Sequence, residues 1–291
     1  MDRIRKDHWQ RQIANLDPEK NFEEISRLVS DYEFPWDIYQ ALRLALFRTY
    51  AVPSIGRLLY DTGGFTGDVQ KRHDDTAMIL FTIGEKGVDS TDGHAAIRRM
   101  NQMHGSYDIS NEDMRYVLSA FIVTPNRWIQ QYGWRKWTDA EGLASVRYWQ
   151  RVGKLMGIKD IPATFEEFET LLDDYEAEHF AFDVKSRAVA DATLGLFETF
   201  YPKFARKSAN MVLRALMDDH LREAFGFAKP PAPVVFLSRK ALRARARFVA
   251  LKPARKKPKL IEDYREFRTY SEDVKIDELG TFPPGCPVPH A

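Results

Sequence analysis

One cysteine, Cys286, in 291 residues excludes an internal disulfide and any zinc site built on cysteine pairs. It stands in the proline-rich stretch FPPGCPVPH, which has no helical or strand period, so a flexible free thiol suited to a reducing compartment is expected. An excess of one charge is also lacking. With 43 basic and 42 acidic residues the net charge is +1, which provides no global field for nucleic acid, and no nucleic-acid partner is expected. The longest apolar stretch without a charge, Tyr116 to Asn126, is far short of the roughly 18 residues of a membrane span. The opening MDRIRKDHWQ lacks the apolar centre of a secretory leader, so a cytoplasmic chain is expected. Phosphate loops, dinucleotide glycine fingerprints, Gly-x-Ser-x-Gly elbows and internal repeats are missing as well. What remains is 44% hydrophobic and 29% charged, the composition of a globular chain with a sizeable core.

The pattern throughout is helical, and no series of alternating strand runs bounded by turns occurs, so the fold class is all-α with one multi-helix domain. A short helix is expected from Asp7, and from Pro18 onward Phe22, Ile25, Leu28 and Val29 repeat at helical spacing. Trp36 to Val52 is apolar on most sides, which predicts a central helix. A short helix from Pro53 ends near Gly63. Ser110 and Asp113 have the spacing of a capping box, and Pro125 is expected to kink or end the helix that follows. Further helices are predicted over Thr138–Met156, from Thr164, over Val184–Phe200 and over Ala205–Phe225. Prolines in AKPPAPVVF mark a break, giving a helical body over residues 1–228 and a proline-rich, basic extension over 229–291 packed on the same domain.

The stretch from Phe65 to Tyr107 holds the candidate chemistry. It reads as two helices broken near Gly87 to Asp92. Arg72, Asp75 and Thr76 fall at three- and four-residue spacing and share a face. Met100, Met103 and His104 close the second helix and put an imidazole among thioethers. An arginine, a threonine and a histidine converging from two apolar helices suit an anionic, flat, largely apolar cofactor.

Arg72-His73-Asp74-Asp75-Thr76, followed by Met103-His104, resembles the Arg-x-x-x-Thr and His signatures of the MpaB-type oxygenases, a family that includes the rubber oxygenases. The resemblance continues through FIVTPNRWIQQYGWR, Phe121 to Arg135. It implies a helical b-type haem protein with a globin-like core, acting with dioxygen on an apolar isoprenoid- or lipid-like small molecule. His104 is then the expected proximal iron ligand, with Met103, Arg72 and Thr76 around the cofactor. Arg72, Asp75 and Thr76 form the expected catalytic group on the distal side, where Arg72 pairs with a propionate, polarises iron-bound oxygen, or simply forms a salt bridge to Asp75 or Asp68. Thr76 either donates into the pocket or back-bonds to the Arg72 carbonyl. Rubber oxygenases can carry a lysine immediately before this threonine as a distal ligand. Here Asp75 occupies that position, which makes rubber itself a poor expectation.

Other readings rest on other residues. Glu176 and His179 have the Glu-x-x-His spacing of di-iron bundles, but no second copy exists. A non-catalytic helical binding protein is the remaining alternative. His73 and His94 are weaker ligand candidates than His104. The aromatic, basic segment Arg127 to Trp137 is expected to pack as core with surface arginines. Arg239 to Lys259 holds ten basic residues and no acidic one, which suits either a solvated face or peripheral contact with an anionic membrane.

Overall fold

The computed structural model describes residues 4–270 and 274–280; Cys286 and its proline-rich stretch lie outside them. Among the described residues there is no strand, and the chain forms one all-helical domain. In order the helices are α1 (His8–Ile13), α2 (Phe22–Arg27), α3 (Pro35–Thr49), α4 (Pro53–Asp61), α5 (Val69–Lys86), α6 (Thr91–His104) and α7 (Asn111–Tyr132). They continue as α8 (Asp139–Leu155), α9 (Phe165–His179), α10 (Val184–Thr199), α11 (Arg206–Leu216), α12 (Asp219–Ala224) and α13 (Ala232–Ala250). A π-helical turn, Leu28–Glu33, follows α2.

The helix starts follow local chemistry. Asp68, Ser90, Ser110, Thr138, Thr164 and Asp183 each accept a backbone N–H of the helix that follows, satisfying donors a helix leaves free. Thr138 and Glu141 complete a reciprocal capping box. The Ser110 box is only half made, because the Asp113 carboxylate instead accepts from Ser54 at 2.9 Å and Tyr175 at 3.0 Å. α3 is central, as its all-round apolar character predicts, and has its most extensive helix contact with α7.

Of the two outcomes expected at Pro125, an end to the helix is ruled out: α7 runs through it to Tyr132. Leu118 to Pro125 is buried without interruption, so packing on both sides outweighs the one backbone donor that proline lacks. The helix expected over Ala205–Phe225 is divided in two, because Asp218 takes an extended conformation, caps Leu221 and pairs with Arg48.

After α13 the chain returns across the body. Lys259 N–H donates to the Asp31 carbonyl at 2.9 Å, Ile261 N–H to Glu85 at 2.7 Å, and the Tyr264 hydroxyl to the Pro35 carbonyl at 3.2 Å. Farther on, Arg99 Nε donates to the Leu279 carbonyl at 2.7 Å.

Burial raises the Asp31 carboxyl to about 6, against a partial offset from the Ser30 hydroxyl. The folded chain therefore holds a proton there that the unfolded chain releases at lower pH. The associated stability is complete below the unfolded value of 3.8 and is lost as pH rises through about 6. Asp31→Asn is expected to remove that slope and to be more stable than wild type at neutral pH by on the order of 2 kcal/mol. Urea titrations across the window check this, and parallel pH profiles for the two proteins would contradict it.

Candidate functional site

The corner between α5 and α6 sets the site. Gly87 has φ +96°, a left-handed conformation, and a Cβ at Gly93 would lie 2.0 Å from the Gly87 carbonyl oxygen. Glycine at both positions lets the two helices turn back tightly on each other. Arg72 and Thr76 on α5 then line the same cavity as Met103 and His104 on α6.

That cavity encloses about 740 Å³ of space free of protein atoms, counting its mouth, and Met100, Met103, Met114 and Met156 line it beside His104. Thioethers are adaptable and polarizable, suited to the face of a large flat ligand. A second cavity of about 1510 Å³ on the same basis runs between α3, α5, α7, α8 and α10. Leu46, Arg72, Thr76, Leu80, Phe121 and Trp149 line both, so Arg72 and Thr76 stand where the two meet.

His104 Nδ1 is buried and has no hydrogen-bond partner. Burial, followed by the charge of Arg72, pushes the imidazole down to about 4, so the ring is neutral across the physiological range and keeps a nitrogen lone pair for a metal. Arg72 forms neither of the salt bridges expected for it. Its Nη1 donates to the Thr76 hydroxyl, which itself donates to the Arg72 carbonyl at 3.0 Å. Thr76 thus makes the back-bond and fixes the guanidinium, leaving the arginine charge at the cavities without a carboxylate partner among the described residues.

Asp75 is placed differently. It lines neither cavity. Fully buried, it pairs with Lys71 at 2.9 Å and accepts from the Tyr270 hydroxyl. Three residues on from Arg72, its side chain is rotated far enough around α5 to face the returning C-terminal segment. Asp74 acts alongside it: it accepts from His73 at 2.9 Å, from the Arg268 and Thr269 amides at 3.0 and 2.9 Å, and from the Thr269 hydroxyl at 2.6 Å. Burial would raise the Asp74 carboxyl, but these donors outweigh it and hold the group at about 2. The two aspartates therefore tie residues 268–270 to the site helix, while Tyr264 lines the larger cavity. Asp74→Asn is expected to free this segment, seen as hydrogen exchange at least tenfold faster at the Arg268 and Thr269 amides with unchanged protection in α7. Equal exchange in the two proteins would contradict this clamp.

The weaker histidines have other partners. His73 stacks on Phe267 with centroids 5.4 Å apart, and His94 lies 3.5 Å from Asp89. For the di-iron alternative, Glu176 is held by Arg48 and Tyr116, and His179 Nδ1 is 3.1 Å from the Tyr175 carbonyl. No group of three His, Cys, Asp or Glu side chains suited to one metal occurs among the described residues. In the aromatic segment Trp128, Tyr132 and Trp137 are buried as expected. Arg135 is only partly exposed, however: it pairs with the buried Glu33 and Glu141.

Sequence reasoning missed Arg43 and Tyr39, which α3 directs into the larger cavity. The signal was present, since a charge within a helix apolar on most sides must be buried.

Residues 35–251 match the family described as "ER-bound oxygenase mpaB/B'/Rubber oxygenase, catalytic domain". The chain is 30% identical to ER-bound oxygenase mpaB' of Penicillium brevicompactum, over 75% of this chain and 56% of that protein. It is 29% identical to ER-bound oxygenase mpaB of Penicillium roqueforti (strain FM164), over 73% of this chain and 77% of that protein. With mpaB of P. brevicompactum the identity is 31%, over 65% and 53%. The match thus spans little more than half of the first of these relatives.

Proposed function

This chain belongs to the MpaB/rubber oxygenase catalytic-domain family, and on that premise we propose that it is a haem b-dependent oxygenase acting on an apolar small molecule of isoprenoid or lipid type. The observation that carries the haem assignment is His104: a neutral imidazole with an unpartnered buried nitrogen, in a methionine-lined cavity that also receives an unpaired arginine charge. These residues fit a haem, which needs a side-chain ligand for its iron, an apolar wall and cationic anchors for its carboxylates. His104 would hold the iron, Met103 would pack against the macrocycle, and Arg72 would meet a propionate or the reacting face. When bound, haem supplies the activation of dioxygen that no amino-acid side chain provides.

The chain's own residues do the rest. Arg72 places a permanent positive charge where the two cavities meet, and Thr76 keeps its guanidinium oriented there. The apolar walls exclude water and accommodate a substrate with few polar groups. Asp75, held away by Lys71 and Tyr270, contributes by fastening the C-terminal segment rather than by handling protons in the cavity. Arg72→Met is expected to reduce kcat/KM at least tenfold, with Thr76→Val giving a smaller loss in the same direction. Oxygen uptake on adding long isoprenoid or fatty substrates tests the activity: uptake should depend on both haem and substrate, and haem-loaded protein that consumes no oxygen with any such substrate would count against it.

No helix among the described residues is long and apolar enough to cross a membrane. We assign membrane contact instead to α13 and its surroundings. Phe236, Leu237, Phe248 and Leu251 are exposed there beside the exposed cations Arg239, Lys240, Arg243 and Arg247. Exposed Phe204 and Met211 lie on the approach to and within α11, which packs on α13. Such a surface suits the interfacial region of an anionic bilayer, in keeping with relatives named ER-bound. Other parts of the basic run have roles in the fold: Arg245 pairs with the buried Asp37 and covers Trp36. Co-sedimentation with anionic vesicles should weaken with salt and fall at least tenfold in an Arg239→Glu, Lys240→Glu double variant. Binding that is indifferent to salt and to these changes would contradict the assignment.

A further inference from the structure

The larger cavity contains a buried charge that the oxygenase reading does not use. Arg43 is 9% exposed. Its Nε and Nη2 are buried without a partner, and its Nη1 reaches only the neutral Gln40 amide at 3.2 Å. Aromatic rings surround it: the guanidinium lies 3.7 Å from the Phe197 centroid and also faces Tyr39 and Phe200. The Tyr39 hydroxyl beside it is buried and unpartnered too. Glu266 acts on Arg43 only from a distance, and Arg43 forms no ion pair among the described residues. Buried cations are ordinarily paired, and aromatic faces replace only part of the lost hydration. Two free guanidinium donors and a phenol hydroxyl at one cavity form a donor set for a planar, two-oxygen anion.

We propose that Arg43 and Tyr39 form a carboxylate-binding site and that the larger cavity takes a long-chain apolar acid with its head group at Arg43. The rest of that cavity is chiefly apolar and adjoins the His104 cavity across Leu46, Leu80, Phe121 and Trp149. A chain anchored at Arg43 runs from the charged end toward the His104 cavity. The anchor selects for an acid and sets which carbon along the chain lies nearest His104. This inference rests on the oxygenase reading for what happens to the acid, but the site is read out by binding alone.

The test uses the full chain and trans-parinaric acid, whose fluorescence rises in an apolar site, against its methyl ester, with haem content measured in each sample. Wild type should bind the acid at least about tenfold tighter than the ester, the scale of charge-assisted hydrogen bonds. Arg43→Met should abolish that preference while retaining ester binding. Arg43→Lys should keep part of it, and Tyr39→Phe should weaken acid binding alone. Equal affinity for acid and ester in wild type, failure to bind either, or a preference that survives Arg43→Met would overturn the proposal. A preference that disappears once stoichiometric haem is bound would also overturn it, by assigning Arg43 to a haem propionate. Failure of wild type to bind haem would refute the oxygenase reading and leave the acid-to-ester ratio unchanged.

Discussion

His104→Gly is expected to fold, to lose turnover to the level of the haem-free chain, and to regain part of it when imidazole is added. The ring sits at the end of α6, and its Nδ1 makes no hydrogen bond. Its removal therefore breaks no polar network and leaves an apolar gap costing about 1–3 kcal/mol. The gap adjoins the methionine-lined cavity, so free imidazole can enter and place a neutral nitrogen near the one removed. Met103→Leu, a change of similar position that keeps the imidazole, should retain most activity. Turnover in His104→Gly equal to wild type without imidazole would show that the ring is only packing.

The site was partly legible in the sequence, and the limits have physical causes. The spacing of Arg72 and Thr76, and the position of His104 at the end of an apolar helix, depend on the 3.6-residue period, and the structure brings these residues with Met103 to one cavity. Asp75 has nearly the same spacing, but its partners come from Lys71 and from Tyr270, almost two hundred residues away in sequence. No local period reports such a contact. The same applies to the bonds Asp74 accepts from Arg268 and Thr269, which lie in a segment with no regular period. Helix starts such as those at Thr138 and Thr164, where a side chain caps its own helix, were readable. The division at Asp218 was not, because it depends on Arg48 in α3.

Glu176→Gln is expected to destabilise the chain by about 3–5 kcal/mol, the range for breaking one side of a buried ion pair, and to lower Tm by roughly 10 °C for a chain of this size. Glu176 accepts Arg48 Nε at 2.7 Å, a second Arg48 nitrogen, and the Tyr116 hydroxyl at 3.2 Å. Arg48 also pairs with Asp218 at 2.7 Å, so α3, α9 and the start of α12 meet at one guanidinium, and α7 joins them through Tyr116 and Glu176. Burial alone would lower the Arg48 pKa, but the Glu176 contacts outweigh it and hold the group firmly charged. With a neutral amide at position 176 that charge keeps only the half-exposed Asp218. Arg127→Met provides the contrast: its partners Glu169 and Asp173 are solvent-exposed, and the loss should stay within about 1 kcal/mol. Denaturant curves showing equal losses for the two variants would contradict the distinction between the core clamp and the surface pair.

The proposed activity requires that the cavity at His104 take haem through that imidazole. Absorption spectra of wild type and His104→Ala, recorded while haem is titrated into the purified chains, test this directly. The expected result is a saturable Soret band at one haem per chain in wild type, with the band shifted and the affinity lowered in His104→Ala. Identical titrations for the two proteins would remove His104 as the ligand, and no saturable binding by wild type would contradict the haem assignment itself.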